Sequence, residues 1–446
     1  MGKDLLQLVK EAGVVGAGGA GFPTHVKLSG KAEYVIVNGA ECEPLLRVDQ
    51  QLLAYKTQKI LSTLDIVVNK VGAKKGIIAL KKKYKRAIES LKKYKGKYEN
   101  IELFTLEDFY PAGDEQVTVY EALNRVIPEG GIPLDVKVIV INVETILNVF
   151  NALKGKSVTE KYVTVTGVVK NPLTVKVAIG TRILDIIKLV GGTTIEDFQV
   201  IEGGPMMGTV IKDINEPIKK TTKGIIVLPK NHTILISKNK NLEKVLKEAR
   251  IACCYCSLCT EVCPRNLLGH KLYPDKMMKA FSYCNFSQWK LSITDANLCS
   301  ECRLCEQACI MGLQPWKLNK FLKNKLKKEG IRNTNRKKSN NVNPFREYRK
   351  YPIKKLIYKL GIQQYNVEAP LKEDLKLNIN FVIIPCKQHI GQKAYPIVKK
   401  GDNVSKGQKI AKIKGNNLGA LIHASVDGIV EKVNEDAILI KKSHII

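Results

Sequence analysis

Apolar and polar positions change rhythm several times along the chain, and each rhythm predicts a different kind of unit. Leu5, Leu6, Leu8 and Val9 fall on one side of a first helix. Short apolar runs follow at 34–37, 77–80 and 136–141, separated by helical periodicity over 52–71 and 82–95. Strand and helix in alternation predict an α/β layer with a mainly parallel sheet over residues 1–158.

From residue 161 the pattern becomes period two and rich in Thr and Val. Runs at 162–169 and 173–177, joined by the turn Lys170-Asn171-Pro172, predict a hairpin. A helix over 183–190 closes on Gly191-Gly192. Hairpin, helix and returning strands predict a small α+β unit of β-grasp type over 159–235, with a turn-rich loop at Gly203-Gly204-Pro205-Met206-Met207-Gly208. Residues 240–320 are expected to be mainly helical, 321–369 to form a basic linker, and 370–446 to be all-β. The last stretch has the turn-and-strand rhythm of lipoyl-like barrel-sandwich hybrids. The tip Gly415-Asn416-Asn417-Leu418-Gly419 holds no modifiable lysine, so the domain reads as structural. The fold class is therefore multidomain α/β and α+β.

Length and charge narrow the choices. A chain of 446 residues can bury several cores. The net charge of +31 resembles a nucleic-acid signature. Much of it lies in 317–359, where sixteen Lys/Arg face two Glu around a polar stretch from Asn333 to Asn341. Without a recognition motif such a run attracts only non-specifically, so no specific nucleic acid is expected, and an acidic protein surface suits it better. No apolar run reaches the length of a membrane span, and the first residues lack a signal peptide's pattern, so a cytoplasmic, not membrane-spanning, protein is expected.

Eight cysteines carry the most specific chemistry. Cys253, Cys256, Cys259 and Cys263 form C-x2-C-x2-C-x3-C before Pro264, and the spacing recurs at Cys299, Cys302, Cys305 and Cys309. This run wraps a pair of [4Fe–4S] cubanes, the fourth cysteine of each motif serving the other cube. The expected sets are Cys253, Cys256, Cys259 with Cys309, and Cys299, Cys302, Cys305 with Cys263. Structural zinc is the rival, but it usually pairs two C-x2-C knuckles across a longer gap. Cys309 departs from the pattern because Ile310 follows it instead of proline. Cys42, Cys254, Cys284 and Cys386 lack ligand spacing and read as bystanders.

A second constellation lies near the start. Gly13 to Pro23 contains G-x-G-x-x-G, but it follows a helix and runs into Phe22-Pro23, which speaks against an ordinary dinucleotide fingerprint. Its glycines still allow close backbone approach to a phosphate or a flavin, and Lys27 offers a cation. Asn38-Gly39-Ala40-Glu41-Cys42-Glu43-Pro44, Tyr110 to Glu115 and Asn142-Val143-Glu144-Thr145 follow. Together these segments resemble the flavin-binding subunit of respiratory complex I. The resemblance implies that Gly16, Gly18, Gly19, Gly21, Lys27, Asn38, Glu41, Tyr110, Gly113, Asp114, Asn142 and Thr145 hold FMN. Phe22, Glu43 and Glu115 would face the nicotinamide of NADH. Ala40 and Ile141 stand where that protein has an acidic residue and an asparagine.

The order of parts extends the resemblance to the RnfC-like electron-transfer family: FMN domain, SLBB-type β-grasp, dicluster ferredoxin and barrel-sandwich hybrid. In RnfC itself the barrel-sandwich comes first; here it comes last, as in the cobalamin reductases of propanediol-utilisation microcompartments. The resemblance implies an NADH-dependent oxidoreductase passing electrons through FMN and two [4Fe–4S] clusters to cobalamin, to give cob(I)alamin. It also implies a corrinoid adenosyltransferase and microcompartment shell proteins as partners, and a place inside that compartment. The alternative is an electron-transfer adaptor that serves another protein acceptor.

Overall fold

The computed structural model describes residues 4–283, 292–331 and 341–443. Cys284 and most of the polar stretch after Asn333 lie outside the described residues.

The apolar runs of the first region form strands β1 (Tyr34–Gly39), β2 (Lys75–Lys81), β3 (Ile101–Leu106) and β5 (Val138–Asn142), with a two-residue β4 (Phe109–Tyr110) between. They make a parallel sheet in the order β3-β2-β1-β5. Nearly every residue of β1, β2 and β5 is buried, because helices cover both faces of the sheet. Connections from β1 lead to one side through β2 and β3, whereas β5 returns on the other. The carboxyl ends of β1 and β5 thus flank a topological switch point, where open α/β sheets place their ligands. Asn38 and Asn142, the last polar residues of these strands, are register partners there. The helical pattern at 52–71 is split at Lys56 into Val48–Tyr55 and Thr57–Val71.

The Thr/Val-rich runs become β6 (Glu160–Gly167) and β7 (Leu173–Ala178), an antiparallel hairpin as its turn predicts. With β8 (Phe198–Glu202), β9 (Thr209–Val210) and β10 (Gly224–Pro229) they build a mixed sheet over the helix Ile183–Leu189. The cysteine region is helical, with Leu242–Ala252, Pro274–Tyr283 and Pro315–Lys328 packed on one another.

The segment expected to be a basic linker over 321–369 differs from that expectation at both described ends: the helix Pro315–Lys328 runs into it and buries Leu322 and Leu326. β11 (Tyr351–Pro352) pairs with β4, and the helix Ile353–Lys359 buries Ile353, Leu356 and Ile357. Those apolar residues recur at helical spacing, but the lysines between them obscure the pattern. Arg346 and Lys350 both pair with the nearly buried Glu121, which fastens this strap to the flavin-like domain.

β12 (Leu371–Lys372) joins the β-grasp sheet beside β7. The remaining strands form the all-β domain: β13 (Phe381–Pro385), β14 (Tyr395–Pro396), β15 (Asn403–Val404), β16 (Lys409–Lys412), β17 (Ile422–His423), β18 (Gly428–Val433) and β19 (Ala437–Lys442). They make two sheets around one core, β13-β19-β18-β15 and β14-β16-β17. Among the described residues no helix is long and apolar enough to cross a membrane.

Candidate functional site

The glycine loop lies over the switch point. Ala17 N–H donates to Thr145 Oγ1 at 2.8 Å, and Thr145 sits in the first turn of the helix Val143–Leu153. A Cβ on Gly18 would stand 2.8 Å from the Asn142 amide, so only glycine lets the loop lie this close. Around Gly19 there is open space, and Gly18, Gly19 and Ala20 are exposed. Gly16 N–H donates to Phe22 O, which folds the loop back on itself. Gly21, with φ of +76°, turns the chain beneath Gln388 and His389 of the last domain.

Side chains expected to hold flavin gather below this loop. Asn38 donates to Gly113 O at 2.9 Å, and Asn142 donates to Asp49 Oδ2 at 2.9 Å while its oxygen caps the helix behind it. Glu41, at φ of +38°, accepts from Asp49 N and Gln50 N. Burial and the neighbouring Asp49 push its carboxyl up, against the pull of Lys223. Asp49 Oδ1 is buried with no partner among the described residues, so an acceptor is left over beside the Asn142 amide. Bare loop backbone, a cluster of amides and an unused buried acceptor at a switch point fit a flavin ring.

Other expected residues are engaged elsewhere. Lys27 is committed to Glu115 at 3.0 Å and to Val140 O at 2.9 Å. Glu43 accepts from Met206 N at 2.9 Å and Met207 N at 2.7 Å, so the turn-rich β-grasp loop caps it, and burial pushes its carboxyl up. Tyr110 is buried and donates to Cys302 O at 2.8 Å, away from the glycine loop. Asp114 caps the helix Glu115–Leu123 and holds Arg265 through two bonds of 2.7 and 2.9 Å. Burial pushes that carboxyl up, but the Arg265 guanidinium and two backbone N–H groups outweigh it and hold it below the usual range.

Several contributors are not among the expected site residues. Glu144 forms an ion pair with Lys161 in which both side chains are buried, and Asp49 pairs with the largely buried Lys223. Both lysines belong to the β-grasp domain, so these pairs seat it against the floor of the switch point. Charged residues in a strand pattern were the available signal, since Lys161 and Lys223 flank apolar runs. Buried Lys220 donates to Gly13 O at 2.7 Å and Leu421 O at 2.8 Å, joining the glycine loop to the all-β domain.

The eight cysteines line two separate cavities. Cys253, Cys256, Cys259 and Cys309 share one, whose wall also takes in the exposed Cys254, and Cys263, Cys299, Cys302 and Cys305 share the other. All eight thiols are free. The two motifs fold alike: Tyr255 and Ser257 have positive φ in the first, Glu301 and Arg303 at the matching positions in the second. Left-handed residues on both sides of the middle cysteine curl the loop, so that three thiols point inward. Among the described residues no three His, Cys, Asp or Glu group tightly enough for a single ion. Four thiols set around a cavity fit the spread corners of a cubane better than a zinc with bonds of about 2.3 Å. Burial pushes the thiols of Cys253, Cys259, Cys263, Cys299, Cys302 and Cys305 up, so binding iron as thiolates releases protons.

Comparison with known proteins follows the same division. Residues 9–151 match the Nuo51 FMN-binding domain, 162–210 the SLBB domain, 252–314 the 4Fe-4S dicluster domain and 368–444 the RnfC barrel sandwich hybrid domain. Over 442 residues the chain is 41% identical to the cobalamin reductase PduS of Salmonella typhimurium, covering 98% of this chain and 96% of that protein. The chain belongs to the PduS cobalamin reductase family. As a PduS-family chain it is an oxidoreductase with an FMN-binding domain and a 4Fe–4S dicluster domain. It is also 35% identical over 267 residues to a component of the Na(+)-translocating ferredoxin:NAD(+) oxidoreductase complex of Acetobacterium woodii, covering 58% of each. An NAD+-reducing [NiFe]-hydrogenase in the H2-reduced state shares the fold, with a TM-score of 0.50 at 19% identity, over 71% of this chain and 60% of that one.

Proposed function

We propose that this PduS-family chain uses NADH to reduce cobalamin to cob(I)alamin, with FMN at the switch point and one [4Fe–4S] cluster in each four-thiol cavity. The observation that carries this reading is the pair of cavities, each lined by three cysteines of one motif and the last cysteine of the other. Held at the switch point, FMN would supply two-electron chemistry toward NADH and one-electron chemistry toward the clusters that the eight cysteines would hold. The stoichiometry is two cob(II)alamin reduced per NADH, with NAD+ and one proton released.

The chain's own residues bind and orient. Open space at Gly19 leaves room for the flavin, Gly16, Gly18 and Gly21 shape the loop around it, and Asn38, Asn142, Thr145 and Glu41 hold the crevice floor in place. Lys27 is the cation for the flavin phosphate, released from Glu115 when the phosphate binds. Phe22 and Glu115 are assigned to the nicotinamide by the likeness to the flavin-binding subunit, Glu115 being free for it once Lys27 turns to the phosphate. Glu43 takes that role only when the Met206–Met207 loop moves aside, since it is capped by that loop. Tyr110 and Asp114 support the pocket by tying it to the cluster region, and Gly113 by accepting from Asn38.

Inside the cell we place the protein in a microcompartment with shell proteins and a corrinoid adenosyltransferase as partners, by its likeness to PduS. Anaerobic purification, flavin analysis and an NADH-to-cobalamin assay test the reading. About eight iron and eight sulfide per chain, one FMN and NADH-dependent formation of cob(I)alamin are expected. Both clusters without FMN, and no NADH oxidation, would leave the adaptor reading, which the similarity to the ferredoxin:NAD(+) oxidoreductase component favours.

A further inference from the structure

The two thiol sets face different surroundings. Cys263, Cys299, Cys302 and Cys305 adjoin the flavin-like domain, through the Tyr110–Cys302 bond and the Asp114–Arg265 pair beside Pro264. Cys253 and Cys309 instead pack on Val245, Ala249, Met278, Leu313 and Leu318 of their own domain. Cys256, Ile310 and Met311 are exposed there. The outer set is the more open of the two: its Cys256 is exposed, whereas the inner set has a part-exposed Cys299 among buried Cys263, Cys302 and Cys305.

Beside the outer set is a cavity of about 290 Å³. Cys309 lines both this cavity and the one shared by the outer thiols. None of the residues expected to hold flavin or nicotinamide lines it. Its lining joins apolar Met206, Ile234 and Leu360 to four basic side chains and one carboxylate, Glu306. Lys240 is paired with Glu248, and Lys238 donates to the Met206 and Gly208 carbonyls. That leaves Arg303 and Lys359 as the cations without a carboxylate partner of their own in the lining. Glu306 is already engaged by Ser237, Gln314 and Trp316. The surplus of cations favours an anion. The volume suits a fragment near the lower limit for small-molecule sites and is too small for a whole corrin ring with its side chains.

We infer that this cavity holds the phosphodiester-bearing nucleotide arm of the corrinoid, leaving the reducible ring outside against Cys309 and Ile310. The inference rests on the proposed cobalamin reduction and deepens it. One electron passes to each cobalt, Co(II) becoming Co(I), and NADH supplies two such electrons as it becomes NAD+ and a proton.

The test compares binding of cobalamin with binding of cobinamide, which lacks the nucleotide arm, to the cluster-loaded chain by equilibrium dialysis. The native chain is expected to prefer cobalamin by at least about tenfold, the worth of a charge-assisted contact. Ile236→Trp fills the cavity from an exposed position, and Lys359→Glu reverses an exposed lining charge. Each is expected to abolish the preference while iron content and thermal stability match the native chain. Equal native affinity for the two corrinoids, or a preference that survives in both variants, overturns the inference. NADH-driven reduction by the native chain is scored separately. A chain that shows the preference but reduces neither corrinoid keeps the cavity and removes the proposed function. One that shows no preference yet reduces cobalamin keeps the function and removes the cavity.

Discussion

The two cysteine motifs have the same spacing and the same left-handed turn residues, yet they end in opposite environments. Three thiols of the inner set, Cys263, Cys302 and Cys305, are at most 8% exposed, whereas Cys256 of the outer set is open to solvent. Local spacing therefore decides the loop, and the packing partner decides what the loop is for. The inner loop is roofed by Tyr110, Arg265 and Trp316, all held by contacts made across domains or helices. The outer loop has Ile310 and Met311 at its edge and no roof from the described residues of the flavin-like domain.

Replacing one cysteine in each set should break this contrast most sharply. Cys305→Ser is expected to abolish NADH-driven bleaching of both clusters and turnover with any acceptor that needs the outer set. Cys256→Ser should also stop turnover but leave the inner cluster reducible by NADH, seen as bleaching of about half the visible absorbance, one cubane of two. Bleaching of the outer cluster in Cys305→Ser would show that electrons from NADH reach the outer set without passing the inner one.

Arg265→Ala comes next. It leaves Asp114 buried without its partner, and should cost about 3–5 kcal/mol in denaturant unfolding. Tyr110→Phe removes one buried bond to Cys302 O and should cost about 1–2 kcal/mol, with a changed EPR signal for the inner cluster alone. At the outer loop Met311→Ser should change stability by no more than about 0.5 kcal/mol, since its side chain is half exposed. An outer-loop change as costly as Arg265→Ala would remove the distinction.

Much of this was legible in the sequence because it is written in local spacing. The crossed cysteine sets follow from C-x2-C-x2-C-x3-C, and the parallel layer from apolar runs between helical stretches. The glycine loop could be recognised beside Asn38 and Asn142, but their meeting as register partners needed the strand order. Asp114 and Tyr110 look like flavin ligands by motif, yet each reaches across to the cysteine region, a contact between segments about 150 or more residues apart. No periodicity reports such a pair. The strap at 351–359 was hidden for another reason: its buried Ile353, Leu356 and Ile357 alternate with lysines that dominate the composition.

The clasp between the glycine loop and the all-β domain bears on how the family's parts can be rearranged. Ile390 N–H donates to Gly21 O, and Lys220 holds Gly13 O and Leu421 O together. A domain late in the chain thus sits against a loop near its beginning. Neighbours of this kind can be joined by a peptide link at either side, because the interface does not depend on which segment is made first. A gene that carries the barrel-sandwich before the flavin-binding region and one that carries it after can therefore encode the same three-dimensional junction, and circular permutation through this clasp becomes a conservative change.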